Sequence, residues 1–313
     1  MVEQGMIERF GGEEKIGRVL ESWRLLEKDY EHNEFVGGPD KSPETSQCHQ
    51  QCTSYVPGLT VKEFWDADEF EWCAKLKQKY SAIRKEFLAV TADMERLQRE
   101  GNNIWAGALT EDAASYGEGW KTLVLMNRGF WDPINVNLFP VTSKAIHDSG
   151  VPAVEAFFAS MKPESEIQPH SDFANFVLTS HLALDIPYSG ENKCRLTIGD
   201  ETRQWINGEV MMFDTSIIHD AVNESDKMRY ILMLRVWHPD LTEEERSAIQ
   251  FTYDCLEYPE LVSGNAEERF RTELQVKALH EFPKIKKGSA KVQGFGGGGA
   301  SSKEGKKKKK GRK

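Results

Sequence analysis

Cys194-Arg-Leu-Thr-Ile198 and Glu209-Val-Met-Met-Phe213 are short β-rich segments set off by the turn dipeptides Gly199-Asp200 and Asn207-Gly208. Gly-Asp and Asn-Gly between such segments are hairpin signals, and hairpins join antiparallel neighbours. The same texture extends outward in both directions, from Trp120 to Trp237. Its β-rich runs are Thr122–Met126, Val154–Met161, Asn175–Ile186, Cys194–Ile198, Glu209–Phe213 and Met228–Val236, with further turn signals at Pro163 and Tyr188-Ser-Gly190. No strand–helix–strand rhythm interrupts them. The expected fold is therefore mainly β with flanking helices, an antiparallel sandwich or jelly roll.

The flanks read differently. Residues 1–30 carry a helical pattern (Ile16, Val19, Leu20, Trp23, Leu26), and residues 31–58, rich in Gly, Pro, Ser and Gln, read as a long loop. A stronger helix is predicted from about Asp66 to Leu97, where Phe70, Trp72, Leu76, Tyr80, Ile83, Phe87 and Val90 recur at three and four and Asp66 or Asp68 caps the start. A short helix over Thr242–Phe251 follows the last strand. The organisation expected is an N-terminal helix and loop extension at 1–54, a main domain at 55–252, a C-terminal extension at 253–283, and a disordered basic tail at 284–313.

Composition bounds the function. The 313 residues are 39% hydrophobic and include eight tryptophans, which suits a packed core. No apolar run reaches the length that spans a bilayer, and the N-terminus lacks a signal peptide's pattern, so no membrane partner is expected. The tail from Lys284 carries +11, and with the whole chain at −10 this leaves −21 on residues 1–283. A body that acidic excludes nucleic-acid binding over a broad surface and confines any such contact to the tail, where Lys306–Lys310 is also a candidate nuclear address. Five scattered cysteines point to reduced thiols and a cytoplasmic setting. Cys48-His49-Gln-Gln-Cys52 has half the spacing of a zinc site and no second pair nearby, so it reads as a loop with free thiols.

The chemistry concentrates in His170-Ser-Asp172, then His219, then Arg229. In extended backbone, residues two apart point the same way, so His170 and Asp172 can reach one metal ion. With His219 they form a two-histidine-one-carboxylate set, the facial triad that leaves coordination positions open on a non-haem Fe(II). Alone, His-X-Asp is a weak signal, and a second copy stands at His238-Pro239-Asp240. That copy ends the last strand and reads as structural. On that strand Arg229, Ile231, Met233 and Arg235 share one face. An arginine entering a β core requires an anionic partner, either a protein carboxylate or the remote carboxylate of a cosubstrate such as 2-oxoglutarate. Arg229 is the first candidate for that role and Arg235 the second.

The chain resembles the aspartyl/asparaginyl β-hydroxylase family of Fe(II)- and 2-oxoglutarate-dependent dioxygenases over roughly residues 55–248. The resemblance rests on Tyr55-Val-Pro-Gly-Leu59, Trp65-Asp66, Gly119-Trp120, Phe139-Pro140, Gln168-Pro-His170, His181–Pro187, Gly208–Asp214, His219, Arg229 and Val236-Trp-His-Pro239. It implies a double-stranded β-helix of cupin-like form. His170 and His219 would be iron ligands and Arg229 would hold 2-oxoglutarate. His181 matches a second cosubstrate histidine, and Trp120 a tryptophan beside the site. Two departures stand out: the family's Arg-X-His is Thr179-Ser-His181 here, and Asp172 supplies a carboxylate that the animal peptidyl hydroxylases lack. The implied activity is O2-dependent hydroxylation of an unactivated carbon on a small molecule or peptide, an amino acid or an Asp/Asn-like side chain. The alternative is a cupin-like barrel that binds a ligand without turnover.

Overall fold

The computed structural model describes residues 1–107 and 115–286. Two helices, α1 (Val2–Phe10) and α2 (Glu13–Leu26), lead into the hairpin β1 (His32–Phe35) and β2 (His49–Cys52). After the short β3 (Phe64–Trp65) come α3 (Glu71–Thr91) and α4 (Met94–Glu100). Then follow β4 (Trp120–Asn127), β5 (Phe130–Trp131), α5 (Pro133–Leu138) and α6 (Pro140–Ser149). The remaining strands are β6 (Ala153–Met161), β7 (Ser165–His170), β8 (Val177–Asp185), β9 (Cys194–Ile198), β10 (Glu201–Gln204), β11 (Val210–Phe213), β12 (His219–Asn223) and β13 (Arg229–Trp237). Helices α7 (Glu243–Glu257) and α8 (Ala266–His280) complete the described chain.

The strands form a large sheet in the order β3-β11-β8-β13-β6-β4-β5 and a small one in the order β10-β9-β12-β7. Every pairing within them is antiparallel. Crossing between the two sheets as the chain advances from β6 to β13 is the double-stranded β-helix arrangement. One apolar cluster joins the inner faces, with Ala159, Ala183, Ile231 and Met233 from the large sheet against Ile167, Leu196, Ile198 and Ala221 from the small one. The outer face of the large sheet offers Leu123, Phe158, Leu178, Leu182, Leu232 and Leu234, and α3 covers it with Trp72, Leu76, Ile83 and Phe87. The β13 alternation thus buries both faces, one in the barrel and one under helices. A third cluster joins Met6, Ile16, Val19 and Leu20 to Val177, Leu241, Ala248 and Phe251, so α1 and α2 pack onto α7. Among the described residues, no helix is long and apolar enough to cross a membrane.

Three expectations need correction. The loop read at 31–58 contains the β1–β2 hairpin, whose polar strand His49-Gln-Gln-Cys52 is held by partners far along the chain. Gln51 N–H donates to the Ser216 carbonyl at 2.7 Å, and Ile218 N–H to that of His49 at 3.0 Å. The single helix expected over Asp66–Leu97 is interrupted. Asp66 caps only a 3-10 turn at Ala67–Glu69 through the Asp68 N–H, while Asp93 caps α4 by accepting from the Arg96 N–H. Helices α5, α6 and α8 are additional to those read from the sequence. The Lys306–Lys310 run lies outside the described residues.

Candidate active site

Neighbouring strands of the small sheet place His170 and His219 opposite each other, the β7–β12 register pairing them directly. Their rings lie 4.3 Å apart. Each ring is oriented by the carbonyl two residues earlier. His170 Nδ1 bonds the Gln168 carbonyl at 2.8 Å and His219 Nδ1 that of Ile217 at 2.9 Å. A carbonyl can only accept, so both Nδ1 atoms carry the proton and both Nε2 atoms keep a free lone pair, the state a metal requires. His170 Nε2 is buried without a partner. Asp172 is set beside them by its own N–H, which donates to the Thr215 carbonyl at 2.7 Å. One ligand atom from each of His170, Asp172 and His219 lies within 4.8 Å of the other two, the one such His/Cys/Asp/Glu group among the described residues.

The charge state suits the same purpose. Burial would raise the Asp172 carboxyl, but Arg235 and the two histidines hold it down at about 2. Burial lowers His219 to about 4, partly opposed by Asp172. Near neutral pH Asp172 is thus a carboxylate and His219 a neutral imidazole. Arg235 Nη1 donates to Asp172 Oδ2 at 2.8 Å, and the Tyr116 hydroxyl donates to Oδ1 at 3.0 Å. Arg235, the second cosubstrate candidate, is thereby committed to the carboxylate. Tyr116 was not singled out, because 56 residues separate it from Asp172 and no local pattern connects them. Its ring also packs 4.6 Å from His170 and 4.7 Å from Trp120.

Behind the three side chains is a cavity lined by Trp120, His181, Trp205, Thr179, Thr215 and Arg229 among others. Arg229 is 1% exposed. Among the described residues, its Nη2 reaches only the Met161 sulfur, at 3.4 Å, and Nε and Nη1 have no partner. Burial lowers it to about 10, which leaves it cationic near neutral pH. His181 Nδ1 accepts from the Trp205 indole N–H at 3.1 Å, and its Nε2 is buried and unpartnered. Burial and Arg229 push this histidine well below its usual range, so it is neutral with its proton on Nε2. The cavity therefore presents orphaned donors and a full positive charge, a demand for an anionic acceptor. The second His-X-Asp copy is elsewhere and structural: His238 Nε2 bonds the Thr60 carbonyl at 2.9 Å, and its Nδ1 accepts from the Asp240 N–H at 3.1 Å.

Residues 77–239, the segment that builds this site, match the sequence profile of the aspartyl/asparaginyl β-hydroxylase family. The chain belongs to that family. Among its relatives, the human aspartyl/asparaginyl β-hydroxylase is 27% identical over 209 residues, covering 62% of this chain and 25% of that protein. The ornithine lipid ester-linked acyl 2-hydroxylase of Rhizobium tropici is 27% identical over 173 residues, covering 54% of this chain and 58% of that protein. The match thus spans a quarter of the first relative and somewhat over half of the second. Among solved structures, an oxidoreductase of the 2OG-Fe(II) oxygenase family from Burkholderia pseudomallei aligns with a TM-score of 0.30 at 12% identity, over 46% of this chain and 77% of that one.

Proposed function

We propose that this member of the aspartyl/asparaginyl β-hydroxylase family is an Fe(II)- and 2-oxoglutarate-dependent dioxygenase that hydroxylates an unactivated carbon, on an amino acid or a peptidyl Asp/Asn-like side chain. The observation that carries the reading is the pairing of two donor sets in one cavity. His170, Asp172 and His219 converge as metal-ligating atoms, and in the same lining Arg229 and His181 present buried donors without a partner among the described residues. A metal-chelating dicarboxylate answers both at once, binding metal at one end and arginine at the other.

When bound, Fe(II) with 2-oxoglutarate supplies the oxidising power for C–H cleavage from dioxygen. The chain's own contribution is placement. His170 and His219 offer Nε2 atoms whose tautomers are fixed beforehand, and Asp172 offers a carboxylate restrained by Arg235 and Tyr116. Arg229 and His181 Nε2–H bind and orient the remote carboxylate. The apolar walls from Ile167, Leu196, Phe213 and Ile231 exclude water from the reacting atoms. Tyr116 packs against His170 and Trp120 against Tyr116, so both border the metal position.

Anaerobic absorption spectroscopy tests this without a known substrate. Fe(II) followed by 2-oxoglutarate should produce a visible charge-transfer band in the wild type and none in His219→Ala. A folded wild-type protein that gives no band would move the weight to a barrel without turnover.

A further inference from the structure

The two halves of the anion pocket come from different strands, His181 from β8 and Arg229 from β13, yet both rest on one side chain contributed by neither. Trp205 follows the edge strand β10 and is 1% exposed. Its Nε1–H donates to His181 Nδ1 at 3.1 Å, and the Arg229 guanidinium carbon stands 4.3 Å from its ring centroid. The Trp205 carbonyl accepts from Asn192 Nδ2 at 2.6 Å, which anchors its backbone. An indole N–H can only donate, so the atom it meets on His181 must be unprotonated. A neutral imidazole has one proton, which is then on Nε2, the atom left unpartnered beside the cavity. The aromatic face meanwhile gives Arg229 a seat that consumes none of its N–H donors, so Nε and Nη1 remain free.

We propose that Trp205 is the positioning residue of this pocket, its N–H setting His181 as an Nε2–H donor and its ring seating Arg229, so that one side chain aims both groups at a small dicarboxylate. This rests on the cosubstrate reading above and adds how the pocket is tuned. The geometry predicts selectivity for ligands rich in acceptors and poor in donors: an amine or a protonated acid would meet the same His181 and Arg229 hydrogens head-on. It also separates the roles of the two pocket walls. Trp205 lines the same cavity and acts on the dicarboxylate through His181 and Arg229.

The test begins with the metal-free wild type carrying 15N-labelled histidine. NMR should show His181 protonated on Nε2 and bare on Nδ1. In Trp205→Phe, which keeps a ring beneath Arg229 but loses the N–H, that tautomer should no longer dominate. Affinity for 2-oxoglutarate, measured anaerobically with Mn(II) as the metal, should weaken about tenfold in Trp205→Phe and about a hundredfold in Trp205→Leu, which loses both contacts. In uncoupled conversion of 2-oxoglutarate to succinate, Trp205→Phe should raise KM and leave kcat near wild type. His181→Ala and His181→Ala/Trp205→Phe should bind the dicarboxylate alike, since the N–H acts only through His181. Wild-type His181 protonated on Nδ1 would overturn the proposal without reference to any variant. So would a folded Trp205→Phe with the wild-type tautomer and affinity. If the tautomer is as assigned but the wild type binds no dicarboxylate, the cosubstrate reading falls instead.

Discussion

Arg229 and Arg235 leave the same face of β13 six residues apart, and their surroundings give them different tasks. Arg235 meets Asp172, with Glu155 Oε2 at 3.8 Å from its Nε, so its charge is answered within the protein. Arg229 meets a sulfur and an aromatic face, so among the described residues no carboxylate answers its charge. Replacing Arg229 with Ala should therefore raise the KM for 2-oxoglutarate by about ten- to a hundredfold, the worth of a charged hydrogen bond or two, while the iron band in spectroscopy still forms at saturating cosubstrate. Asp172→Ala should instead abolish turnover, as a missing ligand would. His219 adds a pH signature. Its folded value of about 4 is below the unfolded one, so between about pH 6.5 and 4 the unfolded chain binds the extra proton. Stability contributed at neutral pH is lost as pH falls through that window, by about 3 kcal/mol in order of magnitude for this one group. Urea unfolding of the metal-free proteins should show the wild type losing that amount relative to His219→Gln from pH 7 to pH 4. A pH-independent difference would mean that His219 is not held neutral. At this scale, spacing and alternation singled out His170, Asp172, His219 and Arg229 only in combination with the family resemblance, since His-X-Asp alone is a weak signal. Tyr116 and Trp205 were not singled out, because each acts through a partner that only the folded chain brings near.

Elements show the same division. The β8 and β13 strands were readable as near-continuous β-rich runs, since each is buried on both faces. Helix α6 was not: it begins at Pro140 with no side-chain cap of its own, and its missing N-terminal partner comes from α3. Glu86 accepts from the Val141 N–H, the Thr142 N–H and the Thr142 hydroxyl, each at 2.7 Å. A buried carboxylate at a helix N-terminus satisfies orphan donors and meets the positive end of the dipole. Its own cost is visible, since burial raises the Glu86 carboxyl above the usual range. Glu86→Ala should cost about 2–3 kcal/mol by leaving those donors unpaired, read as a lower midpoint in denaturant with an unchanged slope. A loss under half a kilocalorie would show that water replaces the carboxylate and that α6 needs no such support. The interruption between α3 and α4 has a similar cause. Apolar spacing continues across Ala92 and Asp93, but Asp93 folds its side chain back onto Arg96 N–H and restarts the helix.

For the whole molecule, the barrel was legible and its N-terminal bracing was not. Turn dipeptides and β-rich runs mark the strands along the sequence, whereas the bracing depends on pairings across more than 150 residues. Arg18 of α2 joins Glu245 of α7 through Nε at 2.8 Å and Nη2 at 2.7 Å, and the same guanidinium bonds the Asp240 carbonyl at 3.0 Å. Glu245 is also the N3 residue of the α7 capping box with Thr242, so one carboxylate ties two helices and starts one of them. The pairing of β2 with Ser216 and Ile218 has a different consequence. Those residues are the approach to His219, and His219 is oriented by the carbonyl of Ile217, which β2 flanks through the Gln50–Ile217 bridge. A metal ion held by His219 would therefore be linked to order in the hairpin, and such linkage runs both ways. A protease offered the 36–48 connection between β1 and β2 should cut it more slowly when Mn(II) is bound, and a nick there should weaken metal binding in return. Limited digestion of an N-terminal loop would thus report on an ion held at the far end of the chain's pairing, with no substrate and no chromophore required.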